Sequence, residues 1–169
     1  HPAMRVLGFD APGGRAGAWA VVDDQSRCGL ILRDVGSVDL AIRRSEQDHY
    51  RATWEMLDRL APIEDVTTGM REISLIVVEA PFLFVIAQPI GGVKMWAAVR
   101  RVPHLMLNSN QARKLVLGSG GPGKAAKAAV LAAMVARFGA RRITNQHRAD
   151  AALYALAGVR YYETHGGTP

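Results

Sequence analysis

The sequence predicts an α/β fold, a five-stranded mixed sheet flanked by helices on both faces. Three observations point there. The N-terminal third holds three strand-like runs separated by short polar turns, which implies antiparallel neighbours. Ile73 to Val78 (ISLIVV) is a continuous β-branched run, as a central strand covered on both faces requires. From Val93 onward, helical and strand signals alternate, the pattern of strands separated by covering helices.

Taken in order, Arg5 to Phe9 (RVLGF) reads as a buried strand ending at Asp10, where Ala-Pro-Gly-Gly signals a turn. Gly17 to Val22 and Gly29 to Val35 are the next two strands, joined by the polar turn Asp23 to Arg27. From about Ala41 to Leu60 the spacing of Tyr50, Trp54, Leu57 and Ala61 is that of an amphipathic helix, which Pro62 stops. Ile63 to Met70 is a polar loop, and Glu79 ends the strand that follows it. Val93 to Arg101 is expected to be helical and Leu105 to Leu107 a short strand. Ser109 to Gly123 is a Gly-rich, basic segment with little periodicity. Lys124 to Phe138 is an Ala-rich helix with Val130, Leu131, Met134, Val135 and Phe138 on one face and Gly139 as its stop. A last helix begins near His147, capped by Thr144 or Asn145, and turns Ala149, Leu153, Leu156 and Ala157 inward.

At 169 residues, with 49% hydrophobic and 21% charged residues and a mean hydropathy of +0.04, the chain has the makings of one globular domain, taken as residues 4–169. The leading His-Pro-Ala is read as a remnant of expression, with the native chain starting at Met4. The single Cys28 excludes a disulfide within the chain and fits a reducing, cytoplasmic setting. The longest apolar stretch, Leu75 to Ala87, is broken by Glu79 and Pro81 and is too short to span a bilayer, so no membrane association is expected.

Charge is segregated along the chain. Between Glu79 and Asp150 there is no acidic residue, and the interval holds 11 of the 21 basic ones; the rest of the chain sets 10 basic against 15 acidic. A pI near 10.0 with this asymmetry suits a surface for a polyanion, because Lys and Arg displace the counterions condensed on phosphates. The plainer reading is a solvated basic face.

Asp10 and Glu79 both stand where an apolar strand ends, and crevices at the carboxyl ends of strands are where open α/β sheets bind ligands. Asp150 falls in the first turns of the last helix. Each has an ordinary explanation: an Asx turn before Pro12, a turn at Pro81, a favourable place beside a helix N-terminus. Carboxylates that converge in a crevice repel one another, however, and are tolerated when a divalent cation neutralises them. Beside a basic surface, such a group points to metal-assisted phosphodiester hydrolysis.

At this point the chain resembles a family, the RuvC Holliday-junction resolvases of the ribonuclease H-like superfamily. VLGFDAPGGRAGAWAVVD is similar to the family's first strand, catalytic Asp and hairpin, and LIVVEAPF to its second acidic motif with a Phe three residues on. NSNQARKLVLGSGGPGKAAK resembles its basic loop entering a helix, and NQHRADAALYALA its final motif. The four stand in the same order and spacing over nearly the whole chain. The turn after Asp10 and the stretch from Arg33 to Ser74 depart from the pattern.

The resemblance implies roles residue by residue. Asp10, Glu79 and Asp150 match the metal-binding carboxylates, and His147 stands where relatives carry Asp or His. Its spacing of three from Asp150 puts both on one helix face. Two divalent ions, Mg2+ or Mn2+, would be held there, and the imidazole tilts the preference toward manganese. Lys124 matches a lysine that stabilises the scissile phosphate, and Arg113 another cation with Lys114 adjacent; Lys127 joins them as a DNA contact. Phe82 matches an aromatic that stacks on unpaired bases, although a core Phe would look the same. The helix around Met95, Trp96 and Val99 matches the face on which the family dimerises, although core residues would look the same. The resemblance thus implies a homodimeric crossover junction endodeoxyribonuclease acting on four-way junctions and other branched DNA.

Three rivals remain. Gly118 to Lys124 fits G-x-x-x-x-G-K, a nucleotide-binding loop, but Ala125 follows where such a loop needs Ser or Thr for its magnesium. A non-catalytic module for branched DNA would keep the fold, and intact Asp10, Glu79 and Asp150 argue against it. A nuclease for RNA–DNA hybrids or a transposase-like nuclease is the nearest alternative.

Overall fold

The structure, a computed structural model, describes residues 3–11, 16–25, 29–39, 46–60, 73–80 and 84–167. In chain order the elements are β1 (Met4–Asp10), β2 (Ala16–Asp24), β3 (Leu30–Asp39), α1 (Glu46–Leu60), β4 (Leu75–Glu79), α2 (Phe84–Arg100), β5 (His104–Leu107), α3 (Ser109–Leu117), α4 (Lys124–Phe138) and α5 (Gln146–His165). They form one five-stranded sheet in the order β3-β2-β1-β4-β5. β1, β2 and β3 are antiparallel neighbours, while β4 and β5 run parallel to β1. The mixed sheet expected from the short turns and the later alternation is therefore the one observed.

The middle strands are apolar on both sides, so each buries two sets of residues. Val6 of β1, Leu75 and Val77 of β4 and Leu105 and Leu107 of β5 pack with α3, α4 and α5. Leu7 and Phe9 of β1 with Ile76 and Val78 of β4 face the opposite way, against α1 and α2. Two cores thus lie back to back across the sheet. Helix α5 crosses β1 at very short range: a Cβ on Gly8 would sit 2.0 Å from the Ala151 carbonyl oxygen and 2.5 Å from the Ala155 nitrogen. Further along α5, a Cβ on Gly158 would sit 2.6 Å from Val77 and 2.8 Å from Val6.

One polar pair interrupts the α1–α2 side. Arg5 and Asp23, partners in the β1–β2 register, have side chains with 0% exposure and are joined through Nε–Oδ1 at 2.7 Å and Nη2–Oδ2 at 3.0 Å. At the outer strand, Arg142 donates to the Leu32 carbonyl and, at 3.0 Å, to the Arg33 carbonyl.

Two elements differ from expectation. Ser109–Leu117, expected to be irregular, is helix α3, with a reciprocal capping box between Asn108 and Gln111 and Gly118 closing it in the left-handed region at φ 77°. Its buried face consists of Ala112 and Arg113, so hydrophobic periodicity could not reveal it. Helix α2 starts at Phe84 rather than Val93 and contains Pro89. Burial of Ile90, Val93, Trp96 and Ala97 outweighs the local signals of Pro89 and the Gly91-Gly92 pair. The expected helix is observed as α1 over Glu46–Leu60, with Leu57 fully buried and Trp54 half-buried, while Ala41, Ala61 and the loop from Ile63 to Met70 fall outside the described residues. The last helix is capped by Asn145, whose side chain accepts from the Arg148 amide.

Candidate active site

Strand alternation decides which way the strand-end carboxylates point. Val6, Gly8 and Asp10 share one side of β1, and Leu75, Val77 and Glu79 share one side of β4; both are the side covered by α5. The parallel register pairs Phe9 with Val78, and one more residue brings Asp10 level with Glu79 on neighbouring strands. Helix α5 enters over these ends, so its first turns lie above the two carboxylates. His147 Nδ1 lies 2.8 Å from Asp10 Oδ2, which joins β1 directly to α5. One proton serves that contact, and its donor depends on which of the two groups holds it. Asp150, one turn along, accepts from Gln146 Nε2 at 2.9 Å.

Asp10 is buried, while Glu79 and Asp150 are half-buried. Burial, and then the charges of Asp150 and Glu79, push the Asp10 carboxyl up to about 8. Glu79 is raised by burial and by Asp150, and Asp150 chiefly by burial. The opposing cation common to all three is Lys127 of α4. Arg113 and His147 also act on Asp150 in that sense. Asp150 thus disfavours the ionised forms of both Asp10 and Glu79, and Glu79 that of Asp10.

Most of the residues singled out from the sequence are brought together here. Asp10, Glu79, His147 and Asp150 form the cluster, and Lys127 and Arg113 flank it. Lys124 opens α4 and is exposed, as is Lys114 on α3. Arg113 is only 7% exposed and braces the glycine-rich loop through Nη1 to the Gly121 carbonyl at 2.5 Å; its Nε is buried without a partner among the described residues. Beside it lies a cavity of about 270 Å3 lined by Ser119, Pro122, Ala125 and Ala129 among others. Phe82 lies outside the described residues. Sequence reasoning missed Gln146 and Tyr154 as neighbours of the cluster; their distance of four residues from Asp150 on a helix was the available signal.

Two features bear on ligands. Among the described residues no three His, Cys, Asp or Glu side chains close into a metal-ligand set as they stand. The donor chemistry nevertheless fits a hard divalent cation: three carboxylates and an imidazole lie at the same end of the sheet beneath the start of α5, and the burial and neighbouring negative charge that raise the Asp10 pKa are what such a cation relieves. The Gly118 to Lys124 loop, by contrast, joins two helices rather than a strand and a helix, so it lacks the setting of a nucleotide-binding loop. Among the described residues no helix is long and apolar enough to cross a membrane.

No protein-family model matches the chain, and no curated protein matches it. Among solved structures, the fold is similar to that of RuvC from T. thermophilus in complex with a Holliday junction substrate, with a TM-score of 0.70, 17% identity and coverage of 98% of this chain and 99% of that one. A second Thermus thermophilus RuvC structure matches with a TM-score of 0.66 at 17% identity, again over 98% and 99% of the two chains. The five-stranded mixed sheet with its helices is thus the ribonuclease H-like fold of RuvC over essentially the whole chain.

Proposed function

We propose that the chain is a divalent-cation-dependent endonuclease that resolves four-way DNA junctions by paired nicks as a homodimer. The observation that carries this reading is the convergence of Asp10, Glu79, His147 and Asp150 on the α5 face of the strand ends, flanked by Lys127 and Arg113. The fold likeness to a RuvC captured with a Holliday junction substrate supports the choice of branched DNA among polyanions.

Asp10, Glu79, His147 and Asp150 would hold two ions, Mg2+ or Mn2+. When bound, such ions supply Lewis-acid activation of water and of the phosphodiester. The chain's own residues do the rest. The Asp10–His147 contact fixes the imidazole ring against β1, and Gln146 holds Asp150 in its rotamer. Lys127, with Lys124 one turn earlier, offsets negative charge as it grows on the phosphate. Arg113 stiffens the loop that leads into α4, and Lys114 extends the basic surface for the DNA backbone. Phe82, three residues beyond Glu79, would stack on an unpaired base.

The dimer reading rests on α2. Met95 is 65% and Val99 64% exposed, and Gly91 and Ala98 share their outward face. An apolar helix face turned to water is the kind of surface that a two-fold partner covers.

The test incubates a labelled four-way junction and a linear duplex of the same sequence with the protein in Mg2+, Mn2+ or EDTA, beside Asp10→Asn. Symmetric paired nicks on the junction alone, absent in EDTA and in the variant, are expected. Tight junction binding without cutting in any metal sinks the nuclease reading in favour of a recognition module. Cutting confined to an RNA–DNA hybrid moves the substrate elsewhere.

A further inference from the structure

The register of the sheet sets three residues in one row. Asp10 of β1 pairs with Ala18 of β2, and Ala18 pairs with Ser37 of β3. Cross-strand partners project to one face. Ala18 belongs to the core beneath α5, so Ser37, on the outer strand, points to the same side as Asp10. At about 4.8 Å between neighbouring strands, the two ends of the row are about 10 Å apart. Helix α5 reaches both ends with consecutive residues: His147 Nδ1 lies 2.8 Å from Asp10 Oδ2, and Arg148 Nε donates to Ser37 Oγ at 3.1 Å.

Arg148 is tied in two further directions. Its amide donates to the Asn145 side chain at 2.9 Å, which caps the helix, and its Nη1 donates to the Arg142 carbonyl at 3.2 Å. Arg142 is itself fastened to β3. Val21 pairs with Asp34 and Val22 with Leu32, so Arg33 is an extra residue in β3, and the carbonyls of Leu32 and Arg33 both accept from the Arg142 guanidinium. Two arginines in series thus bind the first turn of α5 to the outer strand. The His147–Asp10 contact alone is a single point about which the helix can turn, and a second contact at the far end of the same row removes that freedom.

We infer that Arg148, seated on Ser37 and backed by Arg142, is a positioning residue that sets the rotation of α5 about its axis, and with it the approach of His147 and Asp150 to the strand ends. This rests on the reading of the cluster as a cation site. Strand β3 carries none of the residues assigned to the cation, yet through this strap it helps to hold them in place. Groups that orient metal ligands from behind typically change metal affinity by about 10-fold to 100-fold.

Ser37→Ala removes the acceptor from an exposed position without changing charge, and Arg148→Ala removes the strap itself. Arg141→Ala takes one exposed charge from the same turn and leaves the strap intact. Titration calorimetry with Mn2+ and with Mg2+, unfolding in EDTA, and junction binding and cleavage across metal and salt titrations are run on these variants, the Ser37→Ala/Arg148→Ala double variant and wild type. The expected result is a Mn2+ dissociation constant weaker by about tenfold in Ser37→Ala and in Arg148→Ala, with no further loss in the double variant. Cleavage is lost at limiting metal and regained at high metal, and Arg141→Ala behaves as wild type. The sign is informative, because deleting a cation near a divalent-ion site would by itself tighten binding. If wild type binds the ion while Arg148→Ala binds it equally or more tightly, the inference fails and the cation site stands. A lowered unfolding midpoint at wild-type metal affinity makes the strap a brace of the fold alone, which overturns it. So does a loss of junction affinity with a shallower salt dependence in Arg148→Ala but not in Ser37→Ala, the mark of a direct phosphate contact. If wild type itself binds no divalent ion, the proposed function and this inference fall together.

Discussion

Asp10→Asn is expected to stabilise the metal-free protein while abolishing cleavage. In the unfolded chain the Asp10 carboxyl titrates near its ordinary value of 3.8, and in the folded chain near 8. Below the lower value the group is protonated in both states and costs folding nothing. Between the two values the unfolded chain releases the proton that the folded chain retains, so stability falls as pH rises, by up to about 1.4 kcal/mol per pH unit. Above the folded value the full loss is reached. A span of about four units sets a ceiling of about 6 kcal/mol, and relaxation of the carboxylate toward water in the folded state brings the expected loss to about 2–4 kcal/mol. Asparagine does not titrate, adds no charge beside Asp150 and Glu79, and keeps a polar atom for His147. Urea unfolding in EDTA, followed by tryptophan fluorescence from pH 4 to pH 8, should therefore show two proteins of nearly equal stability at pH 4 that diverge toward pH 8, the variant being the more stable. Adding Mg2+ should raise wild type and leave the variant nearly unmoved, since an ion that binds only the folded state stabilises it. A gap that does not grow with pH, or a variant that is the weaker at pH 8, refutes the reasoning.

Other consequences are equally direct. Lys127→Ala should lower junction cleavage at saturating DNA by about tenfold to a hundredfold, the worth of one unit charge at close range, and by more than Lys124→Ala does; equal losses would show that Lys127 has no special place. Asp23→Ala takes both carboxylate hydrogen bonds from a guanidinium with 0% exposure and should cost about 3–5 kcal/mol in urea unfolding, whereas a cost below about 1 kcal/mol, the scale of an exposed pair, would mean that Arg5 finds equivalent partners. Met95→Glu with Val99→Glu should convert a dimer to a monomer in sedimentation velocity and turn paired nicks into single ones. A protein that is monomeric before substitution removes that reading of α2.

The sheet and two of the site's anchors are legible because strands advertise themselves through continuous apolar runs, and Asp10 and Glu79 stand out at the ends of two of them. The start of α5 is legible for a similar reason: Asn145 is a good cap three residues before Arg148, whose amide it binds. What cannot be read depends on partners distant in the chain. Helix α3 buries an arginine, which looks like a surface residue until its loop contact with Gly121 is known. Helix α2 is held by burial against α1 and β4, so Pro89 and two glycines suggest a break that packing overrides. The influence of Lys127 on the carboxylates arises from how α4 and α5 lie on the sheet, and no spacing along the sequence encodes that.

The close crossing of α5 over Gly8 and of Gly158 over Val6 and Val77 has a bearing on how insertions would be tolerated. β1 and β4 are apolar on both sides, so gaining or losing one residue would exchange one buried set for another at little hydrophobic cost while turning Asp10 or Glu79 to the α1–α2 side. Hydrophobicity therefore does not index these strands; the two notches do. Only Gly8 lets the helix backbone touch β1, and only Gly158 lets β1 and β4 rise to the helix, so a shifted frame would place a side chain in a gap with no room for one. Two absent methyl groups act as the alignment pins of a site built on parts remote in sequence, and length changes should be excluded from β1 and β4 more strictly than substitutions that merely alter volume.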